Sequence, residues 1–321
     1  MSDKRGRVGW RGYLPAITTP FDRDRQLDLP ALGGLLEWLH AEGMHGLVIA
    51  GTTGEWFSLR GGERHRLFSA AAAQMAGRLP LIAGCSAFTP DEVVEHIDHA
   101  HSCGFDGVLV TPPPYAMPDE GDLLAFYTQI AERSRLPICI YNWPPGTNID
   151  MSIELLSRLA ELDAVVAIKQ STSDLSRFMN AFFALKDQVR VFGVTMDEVG
   201  ITLVQAHDAD GTMGAGGVLG RYQTGFFDNL WKGDVEAARM CGAKDRVLMR
   251  DWFTPRLVGK FGSGAAILKA AFNARGLPGG YVRAPFRDVS AEDAATIAET
   301  LRSLGCLEVE PARAAWAEPT S

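Results

Sequence analysis

The sequence lacks the features that mark several classes of protein. No apolar run approaches the ~20 residues that a membrane-spanning helix needs, so we expect no membrane partner. Cysteine is scarce, odd in number and scattered, without a CxxC pair, which argues against a disulfide framework and a zinc cluster. The cysteines are Cys85, Cys103, Cys139, Cys241 and Cys306.

Positive charge is also in short supply. The 321 residues carry a formal net charge of −8, whereas a nucleic-acid surface needs clustered basic side chains, so we expect no nucleic-acid partner. The N-terminus is basic, but no apolar segment of signal-peptide length follows it. We therefore expect a flexible lead over 1–12 and a cytoplasmic protein.

What the chain does contain is an alternation of short apolar runs with longer segments of helical periodicity. Continuous apolar strands separated by helices indicate a parallel sheet that is covered on its faces. Eight such runs favour a closed (β/α)8 TIM barrel over an open sheet, and no GxGxxG follows the first run. The predicted strands are 14–19, 46–50, 79–84, 107–111, 137–141, 164–169, 189–193 and 210–214.

The last third of the chain reads as helical and exceeds what an eighth barrel unit needs. We predict a barrel over 13–225, a C-terminal helical extension over 226–308 and a loose tail over 309–321.

Active residues of such barrels lie at the C-terminal ends of the strands, and Lys169 is the lysine that closes an apolar strand. Burial disfavours the ammonium form, and a free amine can attack a ketone to form a Schiff base. The alternative is a lysine paired with a glutamate at the barrel rim. The neighbouring strand ends in Tyr141, which would face the same pocket. A phenol can shuttle protons there if a cation or a hydrogen-bond relay lowers its pKa; otherwise Tyr141 packs in the core.

A third element is GTTGE, residues 51–55, which follows the second strand. Turn amides between glycines form anion-binding nests, and Thr52 and Thr53 add hydroxyl donors for a carboxylate. The alternative is a strand-to-helix turn with threonine capping. We expect Glu55 to be an acid in the first turn of a helix, and the alternative is a residue of the site.

Taken together, these motifs resemble the dihydrodipicolinate synthase and N-acetylneuraminate lyase family of Schiff-base enzymes. The resemblance rests on ordered blocks at 14–22, 51–55, 110–115, 141–144, 168–172, 210–217 and 269–286. It implies a (β/α)8 barrel with a C-terminal helical extension, in a homotetramer or homodimer. No metal ion or organic cofactor is implied.

The resemblance also assigns roles to individual residues. Lys169 corresponds to the Schiff-base lysine and Tyr141 to the proton-transferring tyrosine. Thr52 and Thr53 correspond to the pair that holds the carboxylate of a 2-oxo acid, with Thr52 also in the proton relay. Gly193 and Met213 correspond to positions that line the pocket, and a slippage of one residue around Gly193 stays open.

Two departures from the family pattern concern the substrate and the relay. Gly146 stands where dihydrodipicolinate synthases proper carry an arginine for the substrate's distal carboxylate, and glycine cannot replace that bidentate reader. Another arginine could reach in from elsewhere. Pro114 occupies the position of the tyrosine that a neighbouring subunit contributes, and Tyr115 follows it. Whether Tyr115 substitutes is open.

Other polar and aromatic residues invite a second interpretation. Trp56, Phe57 and Trp143 either pack structurally or form an apolar wall that selects a less anionic substrate. The cluster of His96, His99 and Cys103 has the spacing of metal ligands, but we expect a solvated face or a subunit contact. We expect a capping role for Asp174 and discount a site role for Asp197 and Glu198.

The sequence therefore predicts a lyase that forms a Schiff base between Lys169 and a small-molecule 2-oxo acid, either pyruvate or a pyruvate-derived sugar acid. It would catalyse aldol cleavage and condensation, or dehydration. The alternatives are 4-hydroxy-tetrahydrodipicolinate synthase proper, which Gly146 disfavours, and a non-catalytic barrel that binds 2-oxo acids.

Overall fold

A computed structural model describes residues 4–307 and contains one sheet of eight parallel strands. The strands lie in the order β1-β8-β7-β6-β5-β4-β3-β2. Their bounds are β1 Gly12–Tyr13, β2 Leu47–Ile49, β3 Leu81–Gly84, β4 Gly107–Val110, β5 Ile138–Asn142, β6 Val165–Gln170, β7 Arg190–Phe192 and β8 Gly211–Thr212.

The sheet closes through the segment that follows β1. Ala16 bridges in parallel to both Val48 and Ala215, and the Ile17 N–H donates to the Val48 carbonyl at 3.1 Å. This confirms the predicted (β/α)8 barrel. The first strand is predicted at 14–19, but the regular strand is Gly12–Tyr13, which ends before Pro15, a residue without an N–H for the ladder.

Helices follow the strands and cover the outside of the barrel. Side-chain caps fix the starts of most of them: Asp174 accepts from the Arg177 N–H, which confirms its predicted capping role, and Asp197 accepts from the Val199 and Gly200 N–H groups. The helices are α1 Leu29–Ala41, α2 Glu63–Met75, α3 Pro90–Cys103, α4 Glu120–Arg133, α5 Pro144–Thr147, α6 Ile153–Leu159, α7 Leu175–Leu185, α8 Glu198–His207, α9 Arg221–Trp231, α10 Val235–Trp252, α11 Gly264–Ala274 and α12 Ala291–Ser303. Over residues 4–307, none of the helices has the length and apolar character needed to cross a membrane.

The expected flexible lead is packed against the barrel from residue 4 onward. The Lys4 ammonium donates to the Ala160 carbonyl at 2.5 Å and to the Leu162 carbonyl at 2.7 Å. Trp10 is 1% exposed and lies against Gly107, the first residue of β4. Trp10 therefore fills the N-terminal end of the barrel, and the opposite end is left for a site.

The C-terminal extension begins later than predicted. The boundary between 225 and 226 falls inside α9, which belongs to the barrel because it packs on β1. Gln223 of α9 donates to the Tyr13 hydroxyl at 2.7 Å across this contact. The extension consists of α10, α11 and α12, and the predicted tail at 309–321 lies outside the described residues.

Replacing Trp10 tests the packing of the N-terminal segment. We expect Trp10→Ala to lower the free energy of unfolding by about 3–5 kcal/mol, because it removes a buried indole and leaves a cavity. Urea denaturation followed by circular dichroism measures the change. The control is Met240→Ala, at an exposed position of α10, for which we expect a change within about 0.5 kcal/mol. Similar losses in the two variants would contradict the packing of Trp10.

Candidate active site

The C-terminal ends of the strands open onto a cavity of about 590 Å³. Its lining brings together every residue that the sequence assigns to the site, from the ends of five strands. These residues are Thr52, Thr53, Tyr141, Lys169, Gly193 and Met213.

Lys169 is the only lysine that lines the cavity as the described residues form it. Its side chain is 7% exposed, and Tyr141 is its register partner on β5. The Lys169 Nζ lies 4.1 Å from the centroid of the Tyr141 ring. Burial lowers the pKa of Lys169 to about 8, since the site desolvates the ammonium form. A substantial fraction of the side chain is therefore a free amine just above neutral pH.

Tyr141 supplies a hydroxyl to the same cavity. The hydroxyl is hydrogen-bonded to Ser171 and to Thr52, and both bonds lower its pKa, but burial has the larger effect and raises the pKa of Tyr141 well above its usual range. The condition of a lowered pKa for proton shuttling is therefore not met. The neutral phenol keeps its proton and can donate it, with Thr52 and Ser171 as its neighbours in a relay.

Sequence reasoning missed Ser171. The signal that points to it is alternation along β6, because a residue two positions after Lys169 projects to the same face of the strand. Ser171 follows the last residue of β6 and lines the cavity.

The GTTGE turn has the features of an anion nest. Ala50 and Glu55, on either side of Gly51–Gly54, both adopt left-handed conformations with φ of 55°. Such a conformation costs about 1–3 kcal/mol for a non-glycine residue unless the surroundings enforce it. Within residues 4–307, the backbone N–H groups of Thr52 and Thr53 have no hydrogen-bond acceptor. They remain available to a carboxylate.

Glu55 holds this turn from behind. Its side chain is 0% exposed, its Oε1 lies 2.5 Å from the Lys269 Nζ, and its Oε2 accepts from the Arg283 N–H at 3.0 Å. The prediction of a first-turn helix acid is wrong, since Glu55 precedes a short 3-10 helix at Trp56–Ser58 and forms a buried ion pair. Glu55 thereby ties the turn to α11.

Gly193 and Met213 shape the wall next to Lys169. Gly193 has a φ of 138°, and a Cβ there would lie 2.4 Å from the Gln170 carbonyl oxygen, so a glycine is required. Met213 follows β8 and is buried, with its Sδ 4.0 Å from the Cys139 Sγ.

Trp143 forms an aromatic wall beside the catalytic candidates. Its ring is parallel to that of Tyr141, with centroids 6.0 Å apart. A Cβ on Gly146 would lie 2.2 Å from the Trp143 ring, so the indole takes the space next to the position where an arginine would stand. Phe57 packs against Phe286, which lines the cavity, whereas Trp56 stacks under Arg64. Of the three rings in the predicted wall, Trp143 is the one that lines the cavity.

Tyr115 does not face the cavity of its own chain. It is 93% exposed and adopts a φ of 72° in the loop after β4. Any contribution that Tyr115 makes to a relay would require a second subunit.

The histidine and cysteine cluster packs against α2. The His96 Nδ1 lies 3.1 Å from the His65 Nε2, and the His99 Nε2 lies 3.2 Å from the Ser69 Oγ and 3.5 Å from the Cys103 Sγ. His96 and His99 are half-buried between two helices of one chain, so this face is only partly solvated, and a subunit contact stays a prediction. Across residues 4–307, no group of three or more His, Cys, Asp and Glu side chains is arranged to hold a metal ion.

The C-terminal extension contributes two charged residues that sequence reasoning also missed. Asp245 and Arg246 of α10 line the cavity, although they are far in sequence from every strand. No sequence signal points to them, because their placement depends on how α10 packs against α9.

Comparisons with known proteins agree with this geometry. A sequence model of the dihydrodipicolinate synthetase family matches residues 10–304. The chain is 32% identical over 303 residues to a 4-hydroxy-tetrahydrodipicolinate synthase of Acidothermus cellulolyticus, covering 92% of each chain. The dihydrodipicolinate synthase of Thermotoga maritima superposes with a TM-score of 0.83 at 27% identity, covering 94% of this chain and all of that one. The chloride-inhibited enzyme of Acinetobacter baumannii, solved with pyruvate, gives 0.80 at 25% identity, with 93% and 100% covered.

The ion pair behind the GTTGE turn can be tested by removing its negative charge. We expect Glu55→Gln to lower the free energy of unfolding by about 3–5 kcal/mol, because the Lys269 ammonium then lies buried without a counter-ion. Chemical denaturation measures the loss. The matched control is Glu37→Gln, whose partner Arg78 is solvent-exposed, and there the expected loss is under about 1 kcal/mol. A loss at Glu55 no larger than at Glu37 would show that the buried pair does not hold the turn.

Proposed function

Because the chain belongs to the dihydrodipicolinate synthetase family and is a lyase, we propose that Lys169 forms a Schiff base with a 2-oxo acid. The observation that supports this assignment best is the buried amine of Lys169 over the ring of Tyr141, at the open end of the barrel. The substrate is pyruvate or a pyruvate-derived sugar acid.

In the proposed reaction, the Lys169 Nζ attacks the C2 carbonyl carbon of the 2-oxo acid. The carbinolamine loses water as Tyr141 donates its phenolic proton to the leaving hydroxyl, and Thr52 and Ser171 are the hydrogen-bonded groups through which a proton can return. The substrate carboxylate lies on the free N–H groups and hydroxyls of Thr52 and Thr53. Gly193 and Met213 confine it from the other side.

The protonated imine then acts as the electron sink. Loss of a C3 proton, or cleavage of the bond between C3 and C4, leaves an enamine that the imine nitrogen stabilises. Aldol cleavage and condensation pass through this enamine, and so does dehydration of a deoxy-oxo acid. The proposed steps use side-chain and backbone groups of this protein and call for no metal ion or organic cofactor.

Synthesis of 4-hydroxy-tetrahydrodipicolinate is the disfavoured alternative. The position that would carry the carboxylate-binding arginine is Gly146, and the indole of Trp143 occupies the adjoining space. A non-catalytic barrel that binds 2-oxo acids is the alternative from another class. The pairing of Lys169 and Tyr141 in register within one cavity argues against a non-catalytic barrel.

We further propose a homotetramer or homodimer that acts in the cytoplasm. The exposed apolar side chains of Phe88, Tyr115 and Met117 lie in the loops after β3 and β4, where a second subunit would cover them. All cysteines in the described part of the chain are free thiols, as is usual in a reducing compartment.

Trapping of the imine tests the proposed function. With pyruvate and cyanoborohydride, we expect a mass adduct on Lys169, and none in the Lys169→Arg variant, which keeps the charge but lacks the nucleophile. Because the pKa of Lys169 is lowered to about 8, the free amine falls about tenfold per pH unit below 8 and is nearly complete above it. The initial trapping rate should therefore rise up to about pH 8 and then level off. A folded protein that gives no adduct with any 2-oxo acid would overturn the proposal.

The role of Tyr141 can be tested with Tyr141→Phe, which keeps the ring but removes the hydroxyl. We expect the exchange of pyruvate C3 protons for deuterium, followed by NMR, to slow by about 10²- to 10⁴-fold, because a positioned proton donor is lost. The matched control is Tyr127→Phe, a buried tyrosine whose hydroxyl donates to the Val110 carbonyl outside the cavity. Exchange at the wild-type rate in Tyr141→Phe would remove Tyr141 from the relay.

A further inference from the structure

The cavity is much larger than the 2-oxo acid that Lys169 would hold. Its volume of about 590 Å³ lies in the range of sites that take ligands many times the size of pyruvate. The space extends from the strand ends to α10, so a substrate tail that continues away from Lys169 runs toward the C-terminal extension. The groups on that side decide which tail fits.

Asp245 is the fixed acceptor at this side of the cavity. Its Oδ1 accepts from the Gln223 Nε2 at 2.8 Å, and the same nitrogen donates to the Tyr13 hydroxyl at 2.7 Å. The Gln223 Oε1 in turn accepts from the Leu219 N–H at 3.2 Å, which sets the orientation of the amide. Asp245 is therefore held in place by a chain of hydrogen bonds anchored in the barrel.

One carboxylate oxygen of Asp245 is left for a ligand. Within the described part of the chain, the Oδ2 has no hydrogen-bond donor, and it is not sealed away from the cavity. Burial raises the pKa of Asp245 to about 6, so the group is ionised at pH 7 and above yet poorly solvated. A poorly solvated carboxylate binds hydroxyl donors more strongly than an exposed one does.

The rest of the cavity wall between Lys169 and α10 is rich in hydroxyl groups. Ser171, Thr172, Ser173 and Thr195 line it. The Thr195 hydroxyl already donates to Asp197, so it can only accept from a ligand, whereas the three hydroxyls at 171–173 can also donate. Arg246 is the only arginine in the lining formed by residues 4–307, and it lies at an exposed position of α10. The Asp245 carboxylate would repel an anionic substrate tail, whereas the hydroxyl groups of an uncharged tail would donate hydrogen bonds to it.

We propose that Asp245 is a specificity-determining residue that accepts hydrogen bonds from the hydroxyl groups of an uncharged, polyhydroxylated tail on the 2-oxo acid. This inference rests on the proposed function, because it assumes that Lys169 holds the 2-oxo end. It narrows the substrate to deoxy-oxo sugar acids with hydroxyls beyond C4. Acids with alkyl tails or with a second carboxylate at the far end are disfavoured.

Imine trapping on Lys169 also tests this inference, and it does not depend on turnover. Two 4-hydroxy-2-oxo acids of equal chain length are compared, one with hydroxyls on C5 and C6 and one with an alkyl tail. The half-saturating concentration for the cyanoborohydride adduct is measured by mass spectrometry for each acid. The variants are Asp245→Asn, which keeps the shape and the acceptor for Gln223, and Asp251→Asn on the same helix as the matched control.

In the wild-type protein and in Asp251→Asn, we expect the hydroxylated acid to saturate Lys169 at a concentration about 10- to 100-fold below the alkyl acid. Asp245→Asn should raise the value for the hydroxylated acid by a similar factor and change that of the alkyl acid by less than about twofold. Arg246→Gln should leave the ratio between the two acids intact.

The possible failures are distinguishable. If pyruvate gives no adduct with the wild-type protein, the proposed function fails. If pyruvate is trapped but Asp245→Asn weakens both tailed acids equally, or neither, Asp245 does not determine specificity and the inference is overturned. A collapse of the ratio in Arg246→Gln alone, or tighter saturation by an acid with a terminal carboxylate, would overturn it in favour of an anionic tail.

Discussion

The proposed chemistry of this barrel depends on the desolvation of one ammonium group. Lys169 is the penultimate residue of β6 at the mouth of the barrel, where the ring of Tyr141 lies beside the amine. Within residues 4–307, Lys169 forms no ion pair, so the desolvation of its ammonium outweighs the opposing effect of Cys139 and lowers its pKa. The N-terminal end of the barrel is filled by Trp10, so the amine is open to ligands from one side only.

A second buried lysine shows why burial alone does not make a nucleophile. The pKa of Lys269 is also lowered to about 8 by burial, but its Nζ lies 2.5 Å from Glu55 and 2.6 Å from the Tyr281 carbonyl. These two acceptors and the ring of Phe21, whose centroid is 4.5 Å from the Nζ, surround the ammonium, and Lys269 holds the GTTGE turn. The two lysines thus have different roles. Lys269 holds the turn that contains Thr52 and Thr53, and Lys169 is the candidate nucleophile.

Much of the fold and of the reacting groups could be predicted from the sequence because both follow from local patterns. Apolar runs place the strands, and a polar residue at the end of such a run marks Lys169 and Tyr141. The ion pair of Glu55 with Lys269 could not be predicted, since it joins residues 214 positions apart through the packing of α11. The packing of residues 4–12 could not be predicted either, because a basic N-terminal segment shows no apolar periodicity. The raised pKa of Tyr141 depends on how burial outweighs two hydrogen bonds, which only the assembled site decides.

The proposed departure of this chain from a dihydrodipicolinate synthase proper rests on a coupled pair of positions. Trp143 can lie flat beside Tyr141 only because position 146 has no side chain, and any residue larger than glycine at 146 would collide with the indole. An arginine at 146 and the indole of Trp143 therefore exclude each other. With glycine at 146, an apolar surface takes the place of a side chain that would bind a carboxylate. That exchange leaves Lys169 and its relay untouched but moves the polar recognition of the substrate away from β5. The remaining polar groups of the cavity lie toward α10, so the C-terminal extension, which sets the geometry of Asp245, takes part in defining the site.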